Sequence, residues 1–227
     1  MKSNIVALLP MKANSVRVKG KNFRNFLGKP LFQWILDTLL SIEEIDLIVI
    51  NTDAREILFE NGLVETSRII IRDRKQDLQG DSTSMNLILL DDISAIPANL
   101  YVMTHTTNPL LSAKTIKDAI NAFKKKLDNK EADSLFSVDK EQSRFYRNDC
   151  SPVNHDPRNL IPTQDLEPWF KENSNLYIFS EESFHHANAR IGNAPMLFET
   201  PKIESIDIDN ENDWDLALAV ASYLTRK

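Results

Sequence analysis

Two groups of residues in this chain have types and spacings suited to chemistry, and they lie almost at opposite ends of it. The first is the stretch from Pro10 to Asn22. No Asp or Glu occurs between Met1 and Leu36, while Lys12, Arg17, Lys19, Lys21, Arg24 and Lys29 crowd together, in a chain of formal net charge -6. Such a local excess of cations marks an anion site. Backbone N–H groups of a loop that feeds a helix, joined by Lys side chains, hold polyphosphates. The second group is Ser205-Ile206-Asp207-Ile208-Asp209, followed by Asp213. Read as a strand end, residues two apart face the same way, so Asp207 and Asp209 can share one cation while Ile206 and Ile208 anchor the other face. Mg²⁺ suits a site of one or two carboxylates completed by substrate phosphates and water. The same residues also permit a plainer reading, in which Asp209 or Asn210 caps the last helix and Asp207 is solvated.

The elements that must position these groups follow from the apolar pattern. Ile5 to Leu9 is a continuous apolar run of the kind buried in a parallel sheet. Helical spacing follows over Leu31–Ile42, then a strand at Asp46–Asn51 with Thr52-Asp53 at its carboxyl end. In an open parallel sheet ligands bind at that edge, so Asp53 either touches the basic loop or caps a helix over Ala54–Glu60. Further strands are expected at Arg68–Arg72, Leu100–Thr104 and Asp133–Val138. Helices are expected at Thr83–Ile93, capped by Asp81 or Ser82, at Ala113–Leu127, and from the residues after Asp213 through Leu224. The alternation of strand and helix predicts a doubly wound, mostly parallel α/β sheet. With 227 residues, 42% of them hydrophobic, the chain is long enough for one large domain, and nothing in it demands two.

Composition narrows the function. The single cysteine, Cys150, rules out an internal disulfide and fits a reducing compartment. Neither a leader pattern nor an apolar run of about 20 residues is present, so a soluble cytoplasmic protein is expected. Overall acidity with one basic loop argues against a nucleic-acid groove and for a small anionic ligand. His185 and His186 are adjacent on a predicted helix and so point apart, which is not metal-ligand spacing.

The register of the basic loop adds a resemblance. Lys12-x-x-Ser15, Lys21-Asn22 and Gly28-Lys29-Pro30-Leu31 are similar to the signature of the sugar-acid cytidylyltransferases, typified by acylneuraminate cytidylyltransferase. That signature reads Arg-x-Gly-Ser, five residues, Lys-Asn, then Gly-Lys-Pro-Leu. Here Lys12 stands for the Arg, Ala13 and Asn14 for small Gly-type residues, and Val16 for a Lys. A Lys is a point charge where Arg is a fork, so the phosphate geometry is expected to differ. A second block, Arg74, Leu78, Asp81 and Ser84, resembles the family's second nucleotide motif, with Lys75 and Met85 departing from it. His105 to Leu111 occupies the place of Gln-Pro-Thr-Ser-Pro-Leu-Arg, so His105 replaces a Gln that faces the sugar acid. Since His titrates near neutral pH, acceptor recognition would then depend on pH. Thr163-Gln164-Asp165-Leu166 resembles Arg-Gln-Asp-Leu, and Glu172-Asn173-Ser174 resembles Glu-Asn-Gly. Leu111 and Thr163 each stand where the family has an Arg, and Arg144 or Arg147 is a candidate replacement for the charge missing at Thr163.

The resemblance implies a Rossmann-like nucleotidyltransferase that joins a 2-keto-3-deoxy sugar acid to CMP from CTP and releases pyrophosphate. It implies nucleotide contacts from Met11, Lys12, Ala13, Asn14, Ser15, Lys21, Asn22, Arg74 and Ser84, and substrate contacts from His105, Thr107, Gln164 and Asn173. Catalysis falls to Lys21, Asp207 and Asp209, with Mg²⁺ on the two aspartates. It further implies a homodimer, with residues 144–198 as a dimerisation and acceptor-binding insertion. Two other readings fit the same residues: a nucleotidyltransferase for another sugar or a keto-deoxy-octulosonic acid, and a catalytically silent nucleotide-binding homologue.

Overall fold

Ile5 to Leu9 becomes an inner strand of a seven-stranded sheet because the chain can cover both of its faces. In the computed structural model, residues 3–13, 15, 17–80 and 82–226 are described. The strands are β1 (Ser3–Leu8), β2 (Asn25–Phe26), β3 (Lys29–Pro30), β4 (Leu47–Thr52), β5 (Ile69–Asp73), β6 (Ala98–Thr104), β7 (Ser134–Glu141), β8 (Trp169–Ser180) and β9 (Pro195–Glu199). The helices are α1 (Leu31–Leu40), α2 (Arg55–Glu60), α3 (Met85–Ala95), α4 (Ala113–Asp128), α5 (Glu181–Ala187) and α6 (Glu211–Leu224). The main sheet runs β5-β4-β1-β6-β8-β7-β9, and β2 and β3 form a separate hairpin. Strands β5, β4, β1 and β6 are parallel to one another, whereas β8 runs antiparallel to both β6 and β7.

Alternate residues of β1 and its extension feed two cores. Ile5, Ala7 and Leu9 join Phe32 and Ile35 of α1, Leu58 of α2 and Ile116 and Phe123 of α4. Val6 and Leu8 face the other layer, with Leu89 and Ile93 of α3 and Phe184 of α5. The chain goes from β1 outward to β4 and β5, then returns to place β6 on the other side of β1. The carboxyl ends of β1 and β6 therefore flank the point where winding reverses, which is where an open α/β sheet offers a crevice.

A third core forms off the sheet. Val18, Phe26, Leu31 and Ile208 pack with Trp214, Ala217 and Ala221 of α6. The hairpin that carries Phe26 turns through Leu27 at φ 50° and Gly28 at φ 92°. Two successive left-handed residues make the tight two-residue turn that suits a hairpin, so glycine at position 28 is a backbone requirement. Pro30 then precedes α1 at φ -57°. The Gly-Lys-Pro-Leu run is thus a turn and helix start.

Several expected boundaries shift. Helix α1 stops at Leu40, with Ser41 as its cap. Helix α3 starts at Met85, not Thr83, and Ser84 holds the N-cap position without a side-chain bond; Asp81 lies outside the described residues. The Thr83 hydroxyl turns back to the Gln79 carbonyl, 3.1 Å away. Residues 206–209 belong to no strand, and Ser205 lies in a turn. Within 144–198, Leu176 to Phe179 of β8 are fully buried in the main sheet, while the stretch between β7 and β8 carries the 3₁₀ turn Thr163–Asp165 and the bridge of Tyr146 with Pro152. Among the described residues no helix is long and apolar enough to cross a membrane.

Candidate active site

The basic loop leaves β1 and is fixed by backbone before side chains matter. Leu9 and Met11 donate their N–H groups to the carbonyls of Val49 and Asn51, at 2.9 and 3.0 Å, so the chain runs on beside β4 after β1 ends. Arg74 holds it there. Its guanidinium donates to the Met11 carbonyl at 3.1 Å, the Asn51 carbonyl at 2.8 Å and Asn51 Oδ1 at 2.9 Å. Asn51 Nδ2 in turn donates to Asp92 Oδ1 at 2.8 Å, and Arg72 donates to the same oxygen. Burial pushes the Asp92 carboxyl up to about 6, against the bonds from Asn51 and Arg72 that favour its charge. Arg74, lowered from its usual value by its own burial, acts in this chain as a clamp on the loop.

Two further ties set the loop's far side. Asp53 Oδ1 accepts the Ala13 N–H at 2.7 Å, so of the two roles open to Asp53 the contact with the basic loop is realised, and Ala54 occupies the N-cap position of α2. Asn22 Nδ2 donates to the Lys12 carbonyl at 2.8 Å, and Asn22 Oδ1 accepts from the Thr106 hydroxyl at 2.6 Å. The loop is thereby pinned to the ends of β4, β5 and β6.

These ties leave a cleft of about 430 Å³. Met11, Lys12, Ser15, Arg17, Lys21, Asn22 and Arg74 form one wall, Gly80, Thr83 and Met85 another, and His105, Thr106 and Thr107 the floor. His105 is half-buried, and its pKa is pushed down to about 3 by burial and by the charges of Arg190 and Lys21. Burial and these two cations thus favour the neutral imidazole, against the expectation of a ring that titrates near neutral pH.

The acidic pole is brought to this cleft from the end of the chain. Ile208 N–H donates to the Thr107 carbonyl at 2.9 Å, and Lys21 Nζ donates to the Ile208 carbonyl at 2.5 Å. Lys21 is itself only 8% exposed; burial lowers its pKa, and the charges of Asp207 and Asp209 oppose that. Asp207 is raised by burial, against a hydrogen bond from the Thr107 side chain, with the Asp209 charge raising it further. Asp209 Oδ1 meets Arg17 Nη2 at 2.7 Å. Neither aspartate caps α6. Asn210 accepts from the Asp213 N–H, and Asp213 Oδ2 accepts from the N–H groups of Asn210 and Asp209, a complete capping box.

The two carboxylates fit a divalent cation. Asp207 Oδ1 is buried with no hydrogen-bond partner, next to a second carboxylate, and an orphaned buried anionic oxygen is costly unless a cation faces it. Among the described residues no group of three or more His, Cys, Asp or Glu could hold a metal ion. A cation here would take two protein ligands and complete its shell from water and phosphate, which is how Mg²⁺ is held.

The remaining candidates are dispersed. Ser84 lines a second cavity that adjoins the cleft through Met85. Asn173 is buried, and its amide bonds Ser137, Asp139, Thr200 and Ser205 within the fold. Gln164 is exposed on the excursion between β7 and β8, where its carbonyl accepts from Gln142. Asn14 lies outside the described residues. Leu111 is core, fully buried beside α4. Arg144, on the same excursion as Gln164, donates to the Ile161 carbonyl at 2.7 Å. Three participants carry no motif: Asn51 and Asp92, which steady Arg74, and Arg190, which lines the second cavity. Arg17 counts in the basic run, yet only its contact with Asp209 reveals its place.

A loop rich in inward cations, set at the switch point of a doubly wound sheet and faced by two aspartates, defines a nucleotide-handling α/β protein. More particularly, this chain belongs to the cytidylyltransferase family, whose model matches residues 6–218, and it is a nucleotidyltransferase. It is 26% identical over 93% of its length to CMP-N,N'-diacetyllegionaminic acid synthase of Legionella pneumophila, of which 94% is covered. In fold it is similar to 4-diphosphocytidyl-2C-methyl-D-erythritol synthase of Anaerococcus prevotii, with a TM-score of 0.70 at 15% identity over 97% of this chain and 96% of that one. It is also similar to CMP:2-keto-3-deoxy-manno-octonic acid synthetase complexed with CTP, with a TM-score of 0.67 at 15% identity over 97% of this chain and 99% of that one.

Proposed function

We propose that this chain activates a 2-keto-3-deoxy sugar acid of the nonulosonic type with CTP, giving a CMP-sugar and pyrophosphate. The observation that carries the reading is the cleft itself: Lys12, Arg17 and Lys21 on the loop side, with Asp207 and Asp209 drawn up to Lys21 and Arg17 from the C-terminal side. In the reaction the anomeric hydroxyl oxygen of the acceptor attacks the α-phosphorus in line. A P–O bond to the sugar forms, the P–O bond to pyrophosphate breaks, and the hydroxyl proton passes to solvent. Lys12, Lys21 and the loop amides bind and neutralise phosphate oxygens, each charge-assisted bond worth about 1.5–3 kcal/mol. Thr107 orients Asp207, and Arg17 orients Asp209. Asp207 and Asp209 are the residues that would hold Mg²⁺, which when bound would supply charge neutralisation to the phosphates. Most of the acceleration then comes from positioning and preorganised charge.

A homodimer working in the cytoplasm, where CTP is available, belongs to the same proposal. It is supported by Tyr146, Leu160, Ile161, Trp169 and Phe170, which are 39–60% exposed on the excursion and the adjoining half of β8. Apolar side chains so grouped are suited to a partner surface, and Gln164 of that excursion would then reach a partner's site. The test is pyrophosphate release for each of four nucleoside triphosphates with Mg²⁺, against a panel of keto-deoxy sugar acids, with products weighed. CTP with an eight- or nine-carbon acid should give a CMP adduct. Turnover only with a sugar-alcohol phosphate, or with no acceptor, would sink the reading.

A further inference from the structure

The second cavity, about 340 Å³, touches the nucleotide cleft at Met85 and holds one cationic side chain, Arg190, among its lining residues. Arg190 follows α5 and is built into place. Its N–H donates to Asn86 Oδ1 at 3.3 Å, its Nη2 donates to the Tyr177 hydroxyl at 3.0 Å, and its guanidinium carbon lies 3.8 Å from the Tyr177 ring centroid. The side chain is 20% exposed. Glu172 sits 3.8 Å from Nη2, outside hydrogen-bond range, and accepts from the Tyr177 hydroxyl. Its Nη1 donates to Met103 Sδ at 3.8 Å, so the fork has a fixed plane and still has N–H groups left over, since a guanidinium carries five.

A keto-deoxy sugar acid brings a carboxylate next to the anomeric carbon that must face the cleft. Of the polar groups on that side, His105 is neutral, and Ser84, Asn86 and Glu172 cannot neutralise an anion. We infer that Arg190 is the specificity-determining residue for the acceptor, its guanidinium binding the sugar-acid carboxylate in the cavity beyond Met85 while Glu172 and Asn86 meet hydroxyl groups. A planar fork matches a carboxylate in two parallel bonds, which a point charge does not. This inference rests on the proposed reaction and adds to it the residue that selects acids over neutral sugars.

The test uses Arg190→Met and Arg190→Lys in the full chain, with the sugar acid that the wild type turns over best and its methyl ester. The wild type should prefer acid to ester. Arg190→Met should raise KM for the acid by roughly 10- to 100-fold, the size of a lost charge-assisted pair, abolish the acid preference and leave KM for CTP within about twofold. Arg190→Lys should restore part of the preference. A purely structural role would move both KM values together or lower the melting temperature without altering acid against ester. An undiminished acid preference in Arg190→Met overturns the inference while leaving the proposed reaction standing. If that variant does not fold, an unchanged preference in Arg190→Lys does the same. Failure of the wild type to use any keto acid removes the reaction and this inference together, and CTP binding measured by calorimetry shows whether the nucleotide half survives.

Discussion

Asp207 and Asp209 differ more than their shared motif suggests. Asp209 is half-exposed and paired with Arg17, so its loss should cost less than about 1 kcal/mol of stability. Asp207 is buried with an orphaned oxygen, and its raised pKa means that its charge opposes folding. Asp207→Asn and Asp209→Asn are each expected to lower kcat by at least about 100-fold, the scale of losing charge stabilisation at a reacting centre. In a thermal melt Asp209→Asn should be nearly neutral, and Asp207→Asn neutral or stabilising. A carboxyl whose folded pKa is raised favours folding at low pH and loses that contribution as pH rises through the folded value. The gain from Asp207→Asn should therefore be larger at pH 8 than at pH 4, and the reverse order would mean that Asp207 is well satisfied as a carboxylate. His105 yields the opposite sign. With its folded pKa near 3, it contributes no pH dependence above the usual value of about 6.5 and destabilises as pH falls from there toward 3. Its ring resonances should show no inflection between pH 5 and 8; one near 6.5 would restore the pH-dependent acceptor site.

Elements with their own periodicity were legible in the sequence, and those fixed by distant side chains were not. β1, α1 and α4 declare themselves because one run is apolar throughout and the others repeat an apolar stripe. The start of α3 was misplaced because Thr83, a plausible first-turn residue, bonds back to Gln79. Residues 205–209 looked like a strand because apolar and acidic residues alternate. Their long-range backbone partners are instead Lys21, Thr107 and Asn108, far from them in sequence. Lys12, Lys21, Asn22 and Thr107, which the motif spacing groups, all line one cleft, whereas Arg190 has no repeat or spacing to give it away. The capping box of α6 offers a test at this scale. Asn210→Ala should cost about 0.5–2 kcal/mol in a denaturant melt while kcat stays within about threefold, since the cap and the carboxylates are separate side chains. A loss of kcat as large as that of Asp209→Asn would show that capping, not cation binding, is what the segment contributes to activity.

For the molecule as a whole, five of the fourteen exposed large apolar side chains among the described residues, Tyr146, Leu160, Ile161, Trp169 and Phe170, lie on the excursion and the first half of β8. Phe145 stacks on Trp169 at 5.0 Å between ring centroids, which keeps that region ordered though it adds little core. Phe170, 45% exposed, is the probe. Sedimentation of the wild type should give a dimer, and Phe170→Glu should shift it to monomer with the melting temperature of the main fold little changed. A wild type that sediments as a monomer at high concentration would remove the dimer from the proposal.

Lys21 meets Ile208, and Arg24 meets Glu211, each across 187 positions. Contacts of that separation close slowly in folding, because a long loop must be ordered before they form. The segment after β9 thus carries both the two aspartates and part of the packing that seats the basic loop, so a chain cut after β9 would lose the acidic pole and the third core together.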